Sequence, residues 1–197
     1  MNAFVLASGI VAALTYVPFC RQIKNGKTIQ NLPTWVLWTV LDVIIAASII
    51  ANGGNFVLSA VYAIGSGASA FFIFKSKSKF SWTWFETMVA VLVLASMVVW
   101  YFSGSKVATV ASTLAMVIAG IPQLVDAWKK PWEMPPLAIY SGYVAASLLS
   151  VAGGKSWTVE ERLFPVAACV LCLFIVIFSL RKFWIKPAGL PDAGPTE

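Results

Sequence analysis

Residues 14–38 read LTYVPFCRQIKNGKTIQNLPTWVLW, and residues 117–140 read VIAGIPQLVDAWKKPWEMPPLAIY. Each stretch carries a proline near the end of an apolar run, Pro18 or Pro122, and continues into a short basic segment. Each then opens the next apolar run with proline again, Pro33 in the first and Pro135 with Pro136 in the second. Proline fits the first turn of a helix because its missing N–H would have had no partner there. The same device at two places roughly a hundred residues apart marks an internal repeat.

Outward from these two stretches, apolar runs of about 18 to 22 residues fill the chain, each long enough to cross a hydrocarbon layer of about 30 Å. Of the 197 residues, 59% are hydrophobic and 11% charged, against roughly 25% charged in a soluble domain. Seven spans are expected, at residues 3–22, 33–51, 56–74, 84–102, 107–128, 135–152 and 163–183. Residues 1–14 lack a basic segment and the apolar run continues to Cys20, so no cleavable signal is expected. Neither end carries a lipidation motif. Residues 186–197, rich in Pro and Gly, are expected to be disordered.

A unit of three spans ends on the side opposite to its start, so two in tandem would face opposite ways. One span between them restores the direction. The expected fold is therefore an all-α integral membrane protein of seven transmembrane helices in a three-plus-one-plus-three order with parallel repeats. Residues 1–76 form the first repeat, 77–105 a linker helix, 106–185 the second repeat and 186–197 a tail. Parallel repeats related by an axis along the membrane normal are one transporter plan.

Lys and Arg set the orientation. Arg21, Lys24, Lys27, Lys75, Lys77, Lys79, Lys129, Lys130, Arg181, Lys182 and Lys186 fall on one side, and only Lys106, Lys155 and Arg162 on the other. The N-terminus is expected outside and the C-terminus in the cytoplasm. The net charge of +6 is thus a matter of topology, and no nucleic-acid partner is expected. Trp35, Trp82, Trp84, Trp128, Trp132 and Trp184 at the basic side, with Trp100, Tyr101 and Trp157 at the other, look like interfacial belts. Compact loops and small size point to a bacterial plasma membrane. The expected partners are the bilayer, a small polar solute and, as an allowed case, a second copy of the chain.

The pattern resembles the PQ-loop superfamily, which includes the SWEET and SemiSWEET sugar facilitators and lysosomal amino-acid exporters such as cystinosin. The pair Pro122-Gln123 stands intact in the second repeat; the first has Pro18-Phe19, with Gln22 a turn later. Gly26-Lys27-Thr28 and Asn31-Leu32-Pro33-Thr34-Trp35 look like the loop and helix start that follow such motifs. The resemblance covers about residues 1–185 and implies the seven-span fold, with Pro18, Pro122 and Gln123 as hinge residues. Sugar facilitators of this kind carry an Asn inside the third helix of each repeat. Residues 56–74 and 163–183 contain none, which puts a sugar pocket of the usual kind in doubt.

Asp42 is the sharpest candidate. It lies nine residues into its span, roughly 13 Å deep at 1.5 Å per residue, where an ionised Asp costs on the order of 2.5–3.5 kcal/mol on insertion scales. No other acid and no Lys or Arg is expected at that depth. Asp42 is a candidate proton or amine site, or a structural acid hydrogen-bonded inside the bundle. Trp35, Trp38 and Asp42 share one helical face, and a tryptophan wall beside an acid suits a sugar or a cation. Trp35 fits the interfacial belt as well. Tyr140, Ser141 and Tyr143 stand near the equivalent depth in the second half. In the third span small residues four apart allow close packing, and Tyr62 and Ser66, one turn apart, are candidates to face a cavity.

The chain has no His, so the commonest metal ligand and proton shuttle are missing. Cys169 and Cys172 lie in an apolar run and read as small hydrophobes. Neither metal nor cofactor is expected. Span seven has no Lys at mid-depth, which excludes a retinal Schiff base. The leading expectation is a small-solute transporter working by rocking of two halves, with sugar, amino acid or a similar metabolite as solute and proton coupling as an option. A membrane scaffold or complex subunit is the alternative. An enzyme is not expected, because one deep acid supplies little chemistry.

Overall fold

The structure is a computed structural model that describes residues 2–28, 30–76 and 80–184. Lys77, Lys79, Lys186 and the tail at 186–197 lie outside the described residues. Among the described residues the chain is helical without strands: α1 (Ala3–Lys24), α2 (Leu32–Ala51), α3 (Val57–Lys75), α4 (Trp84–Ala119), α5 (Ile121–Lys129), α6 (Leu137–Gly153) and α7 (Val159–Ser179), then a 3-10 turn at Leu180–Phe183. Five helical stretches are long and apolar enough to cross a membrane: α1, α2, α3, the 46 residues of Trp84–Lys129 and the 25 of Val159–Phe183. α6 is apolar but shorter, at 17 residues.

Local chemistry sets the helix ends. Asn2 caps α1, its side chain accepting from the Val5 N–H at 3.0 Å. Thr83 and Glu86 form a reciprocal capping box at the start of α4, which satisfies two otherwise orphaned donors. α1 and α2 both end on glycine at positive φ, Gly26 at 66° and Gly53 at 69°. The bonds Lys27 N–H to Gln22 O and Gly54 N–H to Ile49 O then recapture carbonyls left open by the last turn.

Two features shape the second half. The first is a break inside α4 at a single residue. Gly104, at φ 80° and ψ 172°, takes a conformation that needs a residue without Cβ, and α4 doubles back there. Glu86 in the first arm accepts from Asn31 and Thr34 at the start of α2. Ser105, opening the second arm, donates to Asn52 at the end of α2, and Thr109 meets Ser48 one turn back. Pro122, secondly, does not kink a helix interior. The helix stops at Ala119, the Gly120 N–H closes on Met116 O and Val117 O, and Pro122 sits in the first turn of α5, where it costs no hydrogen bond. Pro18 does lie inside α1 and denies the Leu14 carbonyl its usual donor.

Polarity is inverted relative to a water-soluble fold. Ile10, Leu14, Ile64 and Leu94 are 60%, 65%, 74% and 63% exposed, while Ser8, Ser48, Ser59, Ser69, Ser112 and Ser147 are fully buried. All but Ser147 bond back to carbonyls three or four residues earlier, as Ser69 does to Gly65 O and Ser112 to Ala108 O. A surface of this kind belongs to a helical membrane protein, whose apolar side chains face lipid and whose polar groups are satisfied internally.

α1 packs on α3 and α6, α2 on α3 and α4, α6 on α7, and α4 with α5 on α7. Close approach is achieved at glycine. A Cβ at Gly65 would overlap the Tyr16 ring, so the α1–α3 crossing depends on its absence, as small residues at helix interfaces allow. The small-residue stripe of α3 is therefore a packing surface. Gly67, two residues on, meets nothing closer than the Thr39 methyl at 3.4 Å. Gly65→Ala is accordingly expected to destabilise the protein by about 1–3 kcal/mol and to displace Tyr16, while Gly67→Ala is neutral or slightly stabilising. Thermal unfolding of the two variants in detergent separates them.

Candidate functional site

The site is assembled around Asp42. α2 presents Trp35, Trp38 and Asp42 inward on one face, with Asp42 5% exposed. α3 brings Ser66, whose Oγ donates to Asp42 Oδ2 at 3.1 Å. The same hydroxyl lies 2.7 Å from Tyr62 O and 3.3 Å from Ala63 O. It has one proton, so the backbone carbonyls and the carboxyl compete for it. No Lys or Arg among the described residues lines the space beside Asp42. The ion pairs, Lys106–Glu160 at 3.9 Å and Lys130–Glu133 at 3.6 Å, are far along the chain at helix ends.

Asp42 opens onto a chamber of about 60 Å³ between the α1–α2–α3 group and the group formed by the second arm of α4, α6 and α7. Half of its lining residues are aromatic, against 14% of the chain. Tyr16 of α1, Tyr62 of α3 and Tyr143 of α6 meet there at mutual centroid distances of 6.0, 5.0 and 5.5 Å, all tilted or edge-on. Two polar atoms in this lining are buried without a hydrogen-bond partner at standard geometry, Trp38 Nε1 and the Tyr143 hydroxyl. Off that geometry the Tyr143 hydroxyl still pairs with the Tyr16 hydroxyl. Buried polar atoms are normally paired, so Trp38 Nε1 marks the chamber wall as built for something polar.

Toward the basic ends of the helices the chamber adjoins a polar vestibule of about 490 Å³, with Trp35 and Trp38 lining both. Gln30, Asn31, Thr34, Glu86, Gln123 and Asp126 contribute to its wall. Glu86, 6% exposed, accepts from Asn31 Nδ2 at 2.8 Å, Thr34 Oγ1 at 3.1 Å, the Thr83 N–H at 2.8 Å and the Thr83 hydroxyl. It pins the first arm of α4 to the start of α2. Gln123 Nε2 donates to Tyr140 OH at 2.9 Å, tying α5 to the chamber. In the opposite direction the bundle is closed along α6. The Tyr62 hydroxyl reaches Ser147 Oγ at 3.4 Å, Asn55 Nδ2 donates to Ser150 Oγ at 3.2 Å, and Asn2 Nδ2 donates to Gly153 O at 2.8 Å.

Of the expected site residues, Trp38, Asp42, Tyr62, Tyr140 and Tyr143 line the chamber and Ser66 bonds Asp42 from behind. Ser141 points away and is exposed. Pro122 and Gln123 belong to the vestibule, whereas Pro18 lines a lateral groove with Pro136. Trp35 is not a belt residue: it is 5% exposed, 4.9 Å from Phe19 and 5.2 Å from Trp38 by ring centroid, and its Nε1 donates to Gln30 Oε1. The helix face it shares with Asp42 turns inward and takes it along. Sequence reasoning missed Tyr16, Phe19, Glu86 and Cys172. Tyr16 had a signal, standing one turn from Phe19 beside Pro18; Glu86 had one in its spacing from Thr83. Among the described residues no group of three His, Cys, Asp or Glu side chains could hold a metal ion.

Comparison with family models, with curated proteins and with solved structures returns no match.

Removing a buried orphan should help stability and removing a bonded hydroxyl should hurt it. Thr113→Val, which removes a buried hydroxyl with no partner, is expected to raise stability by about 1 kcal/mol, and Ser66→Ala, which strips Asp42 of its hydroxyl partner, to lower it by about 1–3 kcal/mol. Unfolding midpoints measured side by side in one detergent check both signs.

Proposed function

We propose that the protein carries a small polar solute across a membrane by alternating access, with the chamber at Asp42 as the solute site. The observation that carries this reading is a continuous arrangement between two helix groups. A polar vestibule leads through Trp35 and Trp38 to a buried acid and its aromatic chamber, and a ladder of hydrogen bonds shuts the far side. That is the form expected of a carrier open toward its basic, cytoplasmic side.

The seven-span, two-repeat architecture is part of the proposal. The stretch Trp84–Lys129 has 46 residues, about 69 Å of helix at 1.5 Å per residue, more than twice a hydrocarbon layer of about 30 Å. Its reversal at Gly104 supports two crossings. The buried faces of α3 and α7 correspond at an interval of 106 residues, Leu58 with Phe164, Tyr62 with Ala168, Ser66 with Cys172 and Ile73 with Ser179. Packing of α1 on α3 and α2 on α3 is echoed by α5 on α7 and α6 on α7. These correspondences, with Pro122-Gln123 at the head of α5, support membership of the PQ-loop superfamily; the basic last turns of α1, α3 and α5 support an outside N-terminus, and a bacterial plasma membrane is part of the same proposal.

The scaffold reading draws on one observation, the size of the chamber. About 60 Å³ is well below the roughly 300 Å³ at which small-molecule pockets begin. A carrier caught between states has the same appearance, and only movement of solute separates the two.

Reconstituted in liposomes, the protein is expected to move one class among sugars, amino acids and polyamines, recorded as solute-evoked current or lumenal pH change. Asp42→Asn is expected to lose at least tenfold of that rate, about 1.4 kcal/mol or more. Well-folded protein that moves nothing across the panel would leave the scaffold reading. Orientation has its own check. In intact cells of a cysteine-free background, Ser156→Cys should react with a membrane-impermeant thiol reagent and Lys27→Cys should not.

A further inference from the structure

The chamber's polar inventory is small and one-signed. Asp42 supplies an acid. Trp38 Nε1 is unpaired and the Tyr143 hydroxyl pairs with that of Tyr16; Tyr140 accepts from Gln123, Tyr62 bonds Ser147 and the Tyr143 carbonyl, and Ser66 bonds Tyr62 O and Asp42. No Lys or Arg among the described residues faces this space. The remaining wall is aromatic rings, with Met116, Leu171 and Ile175 among the aliphatic remainder.

Three solute classes meet this wall differently. A sugar presents a hydroxyl at nearly every carbon, and each must exchange a water bond for a protein bond; one free polar atom, a tyrosine pair bonded to itself and one acid cannot serve them. An amino-acid zwitterion brings a carboxylate, which needs donors or a cation and would stand beside Asp42. An organic cation needs one anion and the electron-rich faces of Trp and Tyr rings, and that is what the chamber holds.

We propose that the chamber takes a small organic monocation lacking a carboxylate, a primary or methylated amine; this deepens the transporter reading and rests on it for the site's role. Asp42 is its counter-ion, Trp38 and the Tyr16–Tyr62–Tyr143 cluster its aromatic wall, and the Tyr143 hydroxyl a polar contact for the ammonium's substituent. The small volume restricts the solute to few heavy atoms.

The test is calorimetric binding to purified protein in detergent, with choline, its uncharged carbon isostere dimethylbutanol, its carboxylate analogue glycine betaine, and glucose as probes. Choline is expected to bind, and the isostere, the betaine and glucose to bind at least about tenfold more weakly, a difference of roughly 1.4 kcal/mol. Asp42→Asn should abolish choline binding. Should that variant fail to fold, Trp38→Leu should weaken choline by a similar factor while Trp38→Phe, which keeps a ring face, retains most of the affinity. Equal binding of the isostere or the betaine, preference for glucose, no binding of choline, or an unchanged Trp38→Leu would each overturn the proposal. Counterflow of the same probes in liposomes keeps the two readings apart. Choline that binds but is not carried removes the transporter and leaves the cation site. Carriage of sugars or amino acids by a protein that ignores choline removes the cation site and leaves the transporter.

Discussion

Lipid forms no hydrogen bonds, and the rest of this structure follows from that constraint. Each polar group must be answered inside the bundle. Serines and threonines fold back onto their own helices, glycines at Gly26 and Gly53 return loose carbonyls to amide partners, and Asn2 and Asn55 cross between helices to reach α6. Glu86 takes four donors at once. Against this thrift, Trp38 Nε1 is left unpaired on the same helix face as the sparsely bonded Asp42. Asn55, Thr113, Glu160 and Ser179 also hold unpaired buried atoms, but only that of Trp38 shares the chamber wall with Asp42. That juxtaposition is the physical reason to look for function there, since strained or unsatisfied groups persist where activity requires them.

In the proposed repeat the two halves share a framework but not a chemistry. At the positions where α3 carries Tyr62 and Ser66, α7 carries Ala168 and Cys172. α1 offers Phe19 to Trp35 by ring contact, and α5 offers Gln123 to Tyr140 by hydrogen bond. The first half thus concentrates acid and tyrosines, and the second supplies mostly apolar surface with Tyr140 and Tyr143. A solute held between them would be gripped electrostatically from one side and packed from the other.

The long apolar helices were readable from apolar run length, and the ends of α1, α2 and α3 fell within a few residues of the expected ones because Asn, Pro and Gly punctuate them. Asp42 was readable because a lone acid in an apolar run is costly. What the sequence concealed depended on rotation and on tertiary contact. Trp35 lies at interfacial depth, and only its ring contacts with Phe19 and Trp38 turn it into core. Tyr16 reads as one more aromatic in an apolar helix until Gly65 lets it reach the chamber. The helix break before Pro122 was hidden because a proline after glycine fits either an interior kink or a first turn, and depth alone does not separate them. Glu86 sits near a helix end in sequence, where charge is ordinary, yet Asn31 and Thr34 fold over it.

Gly104 joins the two arms of α4 through a single residue. A tether that short keeps each helix group in the other's immediate neighbourhood, at an effective concentration set by geometry rather than by diffusion, and short linkers already reach the millimolar range. The groups cannot drift apart, so the contacts that close the bundle around Ser147, Ser150 and Gly153 need not be strong to keep it assembled. They can be few and easily broken, leaving integrity to the covalent chain and reversibility to the seal.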